Sequence, residues 1–201
     1  MGWFVRIAAT HSNAVSVYGN EQLYMPHNDF HYSELPAWQK KVIEGYPRIY
    51  GSANRTGHNP DQSQDSLAED HCTLRSGFEC GPGWQALIEQ LSSTADALVA
   101  QLKDSGLQDD ASITPVIIKQ KLGELRWQGQ YNLLSPFDTL WVAYISQIRR
   151  ESVQTCEMSG ETGRIRSLEG FVICLSDKEY LKWKKSPHQM QARYWQLEDV
   201  P

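Results

Sequence analysis

Long apolar runs are missing from this sequence. It has no stretch of about eighteen consecutive apolar residues, which excludes a membrane-spanning helix of ordinary length. Cysteine is scarce, four in 201 residues, a usage that points to a cytoplasmic protein and not to a disulfide-stapled secreted module. The opening Met1-Gly2-Trp3-Phe4-Val5-Arg6-Ile7 lacks a basic stretch followed by a long apolar core, so it does not read as a signal peptide. Internal repeats and low-complexity tracts are also absent. What is there, 40% apolar and 21% charged residues, is the composition of a globular domain, and a chain this long buries most of its surface without a disulfide framework.

Charge is uneven along the chain. Residues 1–114 hold 7 Lys/Arg against 14 Asp/Glu, and residues 115–201 hold 12 against 10. An acidic front and a mildly basic back argue against a general duplex-DNA binder, whose affinity rests on clustered cations. They suit docking onto a basic protein surface, where opposite charge speeds encounter.

The elements predict an α+β fold. Two short stretches rich in β-branched and aromatic residues, 3–9 and 14–18, flank the turn cluster His11-Ser12-Asn13 and read as strands. A helix opens at Ser33-Glu34-Leu35-Pro36, carries Trp38, Val42 and Ile43 on one face, and stops at Gly45 and Pro47. Residues 51–70 have the polar, Gly- and Pro-broken composition of a surface loop. After Gly81-Pro82-Gly83, residues Trp84, Leu87, Ile88, Leu91, Leu98, Val99 and Leu102 make one apolar stripe, the clearest helix in the chain. Strands follow at 115–119 and 124–127, bent at Gly123. A second amphipathic helix starts at Ser135-Pro136, with Ser135 as N-cap. Phe137, Leu140, Trp141, Tyr144, Ile145 and Ile148 lie on one face of it, and Arg149-Arg150 suit its C-terminal end. Residues 164–166 and 171–174 form a hairpin around Gly170, and a short helix follows Ser176. The reading is thus a small antiparallel sheet packed by two amphipathic helices. It divides into an N-terminal β element (1–34), an α+β core (35–150) and a C-terminal hairpin, helix and tail (151–201).

Four segments in order carry a family resemblance. They are Tyr46-Pro47-Arg48-Ile49-Tyr50, Gly77-Phe78-Glu79-Cys80-Gly81-Pro82-Gly83-Trp84, Ile118-Lys119-Gln120-Lys121-Leu122-Gly123-Glu124-Leu125-Arg126-Trp127, and Ser152-Val153-Gln154-Thr155-Cys156-Glu157-Met158-Ser159-Gly160. Together they resemble a family of uncharacterised bacterial and prophage proteins with G-x-E-C-G-x-G-W, K-E-K-F-G-x-L-R-F and C-E-x-C-G segments. The resemblance implies a C-terminal zinc knuckle of the C-x-x-C…C-x-x-H type. In this sequence its ligand positions read Cys156, Ser159, Cys174 and Asp177. A neutral serine hydroxyl is a poor zinc ligand, and aspartate in place of histidine compensates only in part. We therefore expect a degenerate zinc-ribbon-like hairpin without metal or other cofactor, held by packing of Ile165, Leu168, Phe171 and Ile173, with Cys156 and Cys174 as neighbouring free thiols.

Other constellations carry less chemistry. His27 and His31 stand four residues apart with Asp29 between, but no third ligand is identifiable. His71-Cys72 are adjacent in sequence, which seldom lets two side chains meet productively. Cys80 reads as a small buried residue at the entrance to the main helix, and Gly81-Pro82-Gly83 lacks the spacing of a phosphate-binding loop. With no convergent catalytic set, and with seven tryptophans, the expectation is a non-catalytic protein. It would bind a protein partner, a toxin or a defence or nucleic-acid enzyme, as an inhibitor or immunity protein. The alternative is a nucleic-acid-binding accessory protein using Arg149, Arg150, Arg164, Arg166, Lys182, Lys184 and Lys185. A hydrolase built on His27, Asp29, His31 or His71 is a third reading.

Overall fold

Prolines place the first helices. Pro36 caps α1 (Ala37–Gly45), and its carbonyl accepts from Gln39 and Lys40. Pro47 opens α2 (Pro47–Tyr50), a single turn where the sequence predicts only the end of α1. Proline suits such positions because the first helical N–H groups have no intrahelical partner. The computed structural model describes residues 35–51, 74, 77–168 and 170–186. The expected N-terminal strands, nearly all of the 51–70 loop and the tail beyond Ser186 lie outside these residues.

A 3-10 turn at Pro82–Trp84 leads into α3 (Gln85–Asp104), which buries Leu87, Ile88, Leu91, Ala95, Val99 and Leu102. The expected stripe holds except at Leu98, which is only partly buried. Strands β1 (Ser112–Lys121) and β2 (Glu124–Asn132) pair antiparallel from Ser112↔Asn132 to Lys121↔Glu124. Both are longer than the sequence predicts. Pro115 looks like a strand boundary, but it sits at an irregularity in the ladder, where a missing donor is tolerated. Glu79 joins the far side of β1: its N–H donates to the Ile118 carbonyl, and its own carbonyl accepts from the Gln120 N–H, each at 2.9 Å.

Helix α4 (Phe137–Ser152) is capped by Pro136, whose carbonyl accepts from Leu140 at 3.0 Å. The expected Ser135 cap is therefore displaced by one residue, and the Ser135–Pro136 bond is cis. Strands β3 (Arg164–Leu168) and β4 (Phe171–Leu175) form the expected second hairpin. Helix α5 (Asp177–Lys185) begins after Ser176, whose Oγ accepts from the Glu179 N–H at 3.3 Å.

The architecture is a mixed α+β fold of five helices and two small antiparallel two-stranded sheets among the described residues. The main core gathers α1, α2, α3, the inner face of β1–β2 and the buried side of α4. A smaller core under the second hairpin is built from Cys156, Ile173, Leu175 and Trp183, with Leu168, Phe171 and Tyr180 against it. Ile165, expected in that core, is 48% exposed instead. Trp183 from α5 takes the inner position and stacks on Phe171.

Candidate functional site

Residues 156–160, expected as a degenerate knuckle, form a tight turn. The Cys156 carbonyl accepts from Gly160 at 2.8 Å, and Gly160 takes the left-handed φ of 74° that such a tight turn requires. Glu157 fastens this turn to the entrance of α3. Its carbonyl accepts from Gly83 at 2.7 Å and its Oε1 accepts from Gly81 at 3.0 Å, while the Trp84 indole donates to Thr155 at 2.8 Å. Two of the segments that carry the resemblance thus meet as one joint, with Trp84 and Glu157 both fully buried. Sequence reasoning misses Glu157, because a charged residue between Cys156 and Met158 carries no local sign of burial.

The four positions expected as ligands divide into two pairs. Cys156 and Cys174 are both buried beneath the joint. Burial first, then the neighbouring Cys156 and Glu157, push the Cys174 thiol up to about 12. Ser159 is exposed and turned toward Glu161. Asp177 faces outward and is clasped by Arg164 at 3.0 Å and by Arg166. Among the described residues no group of three or more His, Cys, Asp or Glu is placed to hold a metal ion. Metal ligation also needs thiolates, and burial disfavours that of Cys174. Cys80 is likewise buried, and its thiol is pushed well above the ordinary value by burial, then by Glu157 and Glu79. We therefore expect Cys80, Cys156 and Cys174 to resist thiol reagents at pH 8 until the chain is unfolded, and protein purified without chelator to carry little zinc. Site-resolved mass spectrometry after alkylation and a metal assay check this. Stoichiometric zinc would overturn it.

The basic residues are largely spoken for. Arg149 and Arg126 share Glu124, at 2.6 and 2.7 Å. Arg164 and Arg166 share Asp177, and the Arg166 guanidinium also lies 4.2 Å over the Tyr180 ring. Lys182 pairs with Glu179 at 2.7 Å. Arg150, Lys184 and Lys185 are exposed and form no ion pair with a described carboxylate. The hydrogen bond from Arg149, then the charges of Arg126 and Arg149, hold the Glu124 carboxyl below its ordinary value. Its folded-state pKa is depressed, so its stabilisation is present above the unfolded pKa and lost as pH falls through the folded one. Glu124→Gln should cost about 0.5–1 kcal/mol at pH 7, modest because the site is partly solvated. It should also shrink the loss of stability below about pH 4.5 seen in denaturant titrations of the wild type. An acid limb identical to that of the wild type would show that Glu124 does not contribute.

One surface does not close. On α4 the sequence places Leu140 with Trp141 on the buried face, yet Trp141 is 1% exposed and Leu140 is 59% exposed. The reason is the packing of Trp141, which meets Trp127 edge to face at 5.4 Å and 89° and so sets the Trp141 side of α4 against the sheet. An open groove of about 730 Å³ is left between α3 and α4. Leu98 and Ala97 line it from α3, Phe137, Leu140 and Tyr144 from α4, and none of its lining residues carries a carboxylate, a cation or an imidazole. The indole N–H of Trp141, which contributes to the groove, is buried without an acceptor among the described residues.

His27, Asp29, His31, His71 and Cys72 lie outside the described residues. Compared with family models, curated proteins and solved structures, the chain matches none.

Proposed function

We propose that this chain is a non-catalytic interaction protein, of bacterial or phage origin as its resemblance suggests. It would act as an inhibitor or immunity protein by binding a protein target. The observation that carries this reading is the uncharged groove between α3 and α4, where Leu140 stands exposed beside half-buried Leu98, Phe137 and Tyr144. Contiguous apolar surface of this kind is costly to leave in water and marks docking sites. A groove between two helices favours an amphipathic helix of the target, laid in with its apolar stripe inward. The absence of charge along the lining calls for an uncharged stripe. The acidic composition of the front half of the chain would then speed encounter with a basic target.

The test is a photo-crosslinking residue at Gln101, exposed on the rim of the groove, in the native host. A protein captured there, purified, should bind with a negative heat-capacity change. Ala97→Glu, which sets a charge among the apolar side chains, should weaken that binding at least about tenfold. No crosslink at Gln101, or unchanged affinity of the Ala97→Glu protein, would defeat the reading. The nucleic-acid alternative retains Arg150, Lys184 and Lys185, which form no ion pair among the described residues. Binding to single strands that weakens steeply with added salt would favour it.

A further inference from the structure

Among the described residues, strand β2 has an open edge. It pairs with β1 on one side, and among the described residues no other strand pairs with it. At its start the edge is closed, because the Leu125 N–H points away from β1 and donates to Ser152 Oγ at 2.9 Å. Backbone groups alternate in direction along a strand. The same outward orientation therefore falls to Gly129 and Tyr131 further along.

The far half of the strand is bare. Gln128, Gln130, Tyr131 and Asn132 are exposed, and Gly129 lies between them under the Trp127 ring. The five residues carry no charge and no proline, and the ladder irregularity belongs to β1, between Pro115 and Ile117. Proteins ordinarily protect an exposed edge with charges, prolines or bulges, and this one has none of the three. The chain as a whole carries −5, so two copies repel over much of their surface and meet at least cost where charge is sparse. The Asp110 carboxylate, which accepts from the Asn132 amide at 2.9 Å, stands at the strand's end.

We propose that β2 pairs antiparallel with β2 of a second copy, about a two-fold axis at Gln130, to make one continuous four-stranded sheet. Gly129 of one copy then lies opposite Tyr131 of the other, and the outward N–H and carbonyl groups of both residues are satisfied twice over by the symmetry. Gln130 faces Gln130 of the second copy, and two primary amides can donate to and accept from one another. A second copy fits this edge better than a charged peptide, which would find no opposite charge on Gln128 through Asn132. This contact is separate from the α3–α4 groove and does not depend on it.

Sedimentation of the full chain tests the pairing. Wild type should pass from monomer to dimer below about 100 μM, the weak regime of a small interface. Gln130→Lys and Gln130→Glu, both at an exposed position, should each raise the dimer Kd about tenfold by setting like charges opposite one another. An equimolar mixture of the two variants should dimerise again, because only a two-fold axis at this residue brings the lysine beside the glutamate. A wild type that stays monomeric overturns the proposal. So does a mixture that behaves like its separate components.

Discussion

Gly83→Ala is expected to bring the protein close to unfolding. A methyl group on Gly83 would stand 2.3 Å from the Cys156 carbonyl oxygen, 2.4 Å from the Gly160 nitrogen and 2.7 Å from the Glu157 carbonyl oxygen. All three are backbone atoms of the turn at 156–160, so no side-chain rotation relieves the clash. To make room, the turn must retreat from the entrance of α3. That gives up the 2.7 Å bond from Gly83 to Glu157 and the seat of Trp84 on Thr155. Strain of this kind in a packed interior costs about 1–3 kcal/mol, and the broken hydrogen bonds bring the total to about 3–5 kcal/mol. A typical domain has only about 5–15 kcal/mol in all. Gly45→Ala is the matched control, since nothing lies within 4 Å of its added methyl group at the end of α1. It should be neutral, or stabilising by up to about 1 kcal/mol. Urea midpoints of the two variants separate the predictions. Equal stability would mean that Gly83 does not sit where it is described.

How far the sequence reveals this fold depends on how local each signal is. The period of Leu87, Ile88, Leu91, Val99 and Leu102 is contained within α3 itself, so the helix is legible without any knowledge of its neighbours. The Gly123 bend and the Ser176 start are local in the same way. Leu140 is different. Its helical position places it with Trp141, and only the fit of Trp141 against Trp127 decides which of the two is covered. The groove that carries the functional reading is therefore hidden in a choice made by tertiary packing. The fate of the four positions expected as ligands is half legible. Ser159 and Asp177 visibly depart from a zinc set, but the arginines that take Asp177, Arg164 and Arg166, are thirteen and eleven residues away and become its partners only when β3 meets α5. Glu157 and Gln39 are not legible at all. Each is a polar residue whose burial is licensed by a backbone segment more than thirty residues distant.

Gln39 leads to the second large expectation. It is fully buried on α1, beside the apolar Val42 and Ile43, and its amide is used at both ends. Nε2 donates to the Phe78 carbonyl at 3.0 Å, and Oε1 accepts from the Phe78 N–H at 2.7 Å. One side chain thereby stands in for a strand partner to a segment that has none at that point among the described residues, and Phe78 packs against Trp38 and Tyr50. Gln39→Leu keeps the volume but strands two buried backbone groups, at a cost of about 2–5 kcal/mol. Gln39→Glu separates hydrogen bonding from packing. A neutral carboxylic acid can still accept from the Phe78 N–H and donate to its carbonyl, whereas a carboxylate can only accept and would bring a bare charge into the core. The folded pKa of the introduced carboxyl must therefore lie above the unfolded value of about 4.3. A raised folded pKa means that stability is held below the unfolded pKa and lost as pH rises beyond it. Measured against wild type in urea, Gln39→Glu should be nearly equal at pH 4 and weaker by about 2–4 kcal/mol at pH 7. Gln39→Leu should be weak at both. A deficit of Gln39→Glu that does not change with pH would mean that the amide is not the clasp between α1 and Phe78.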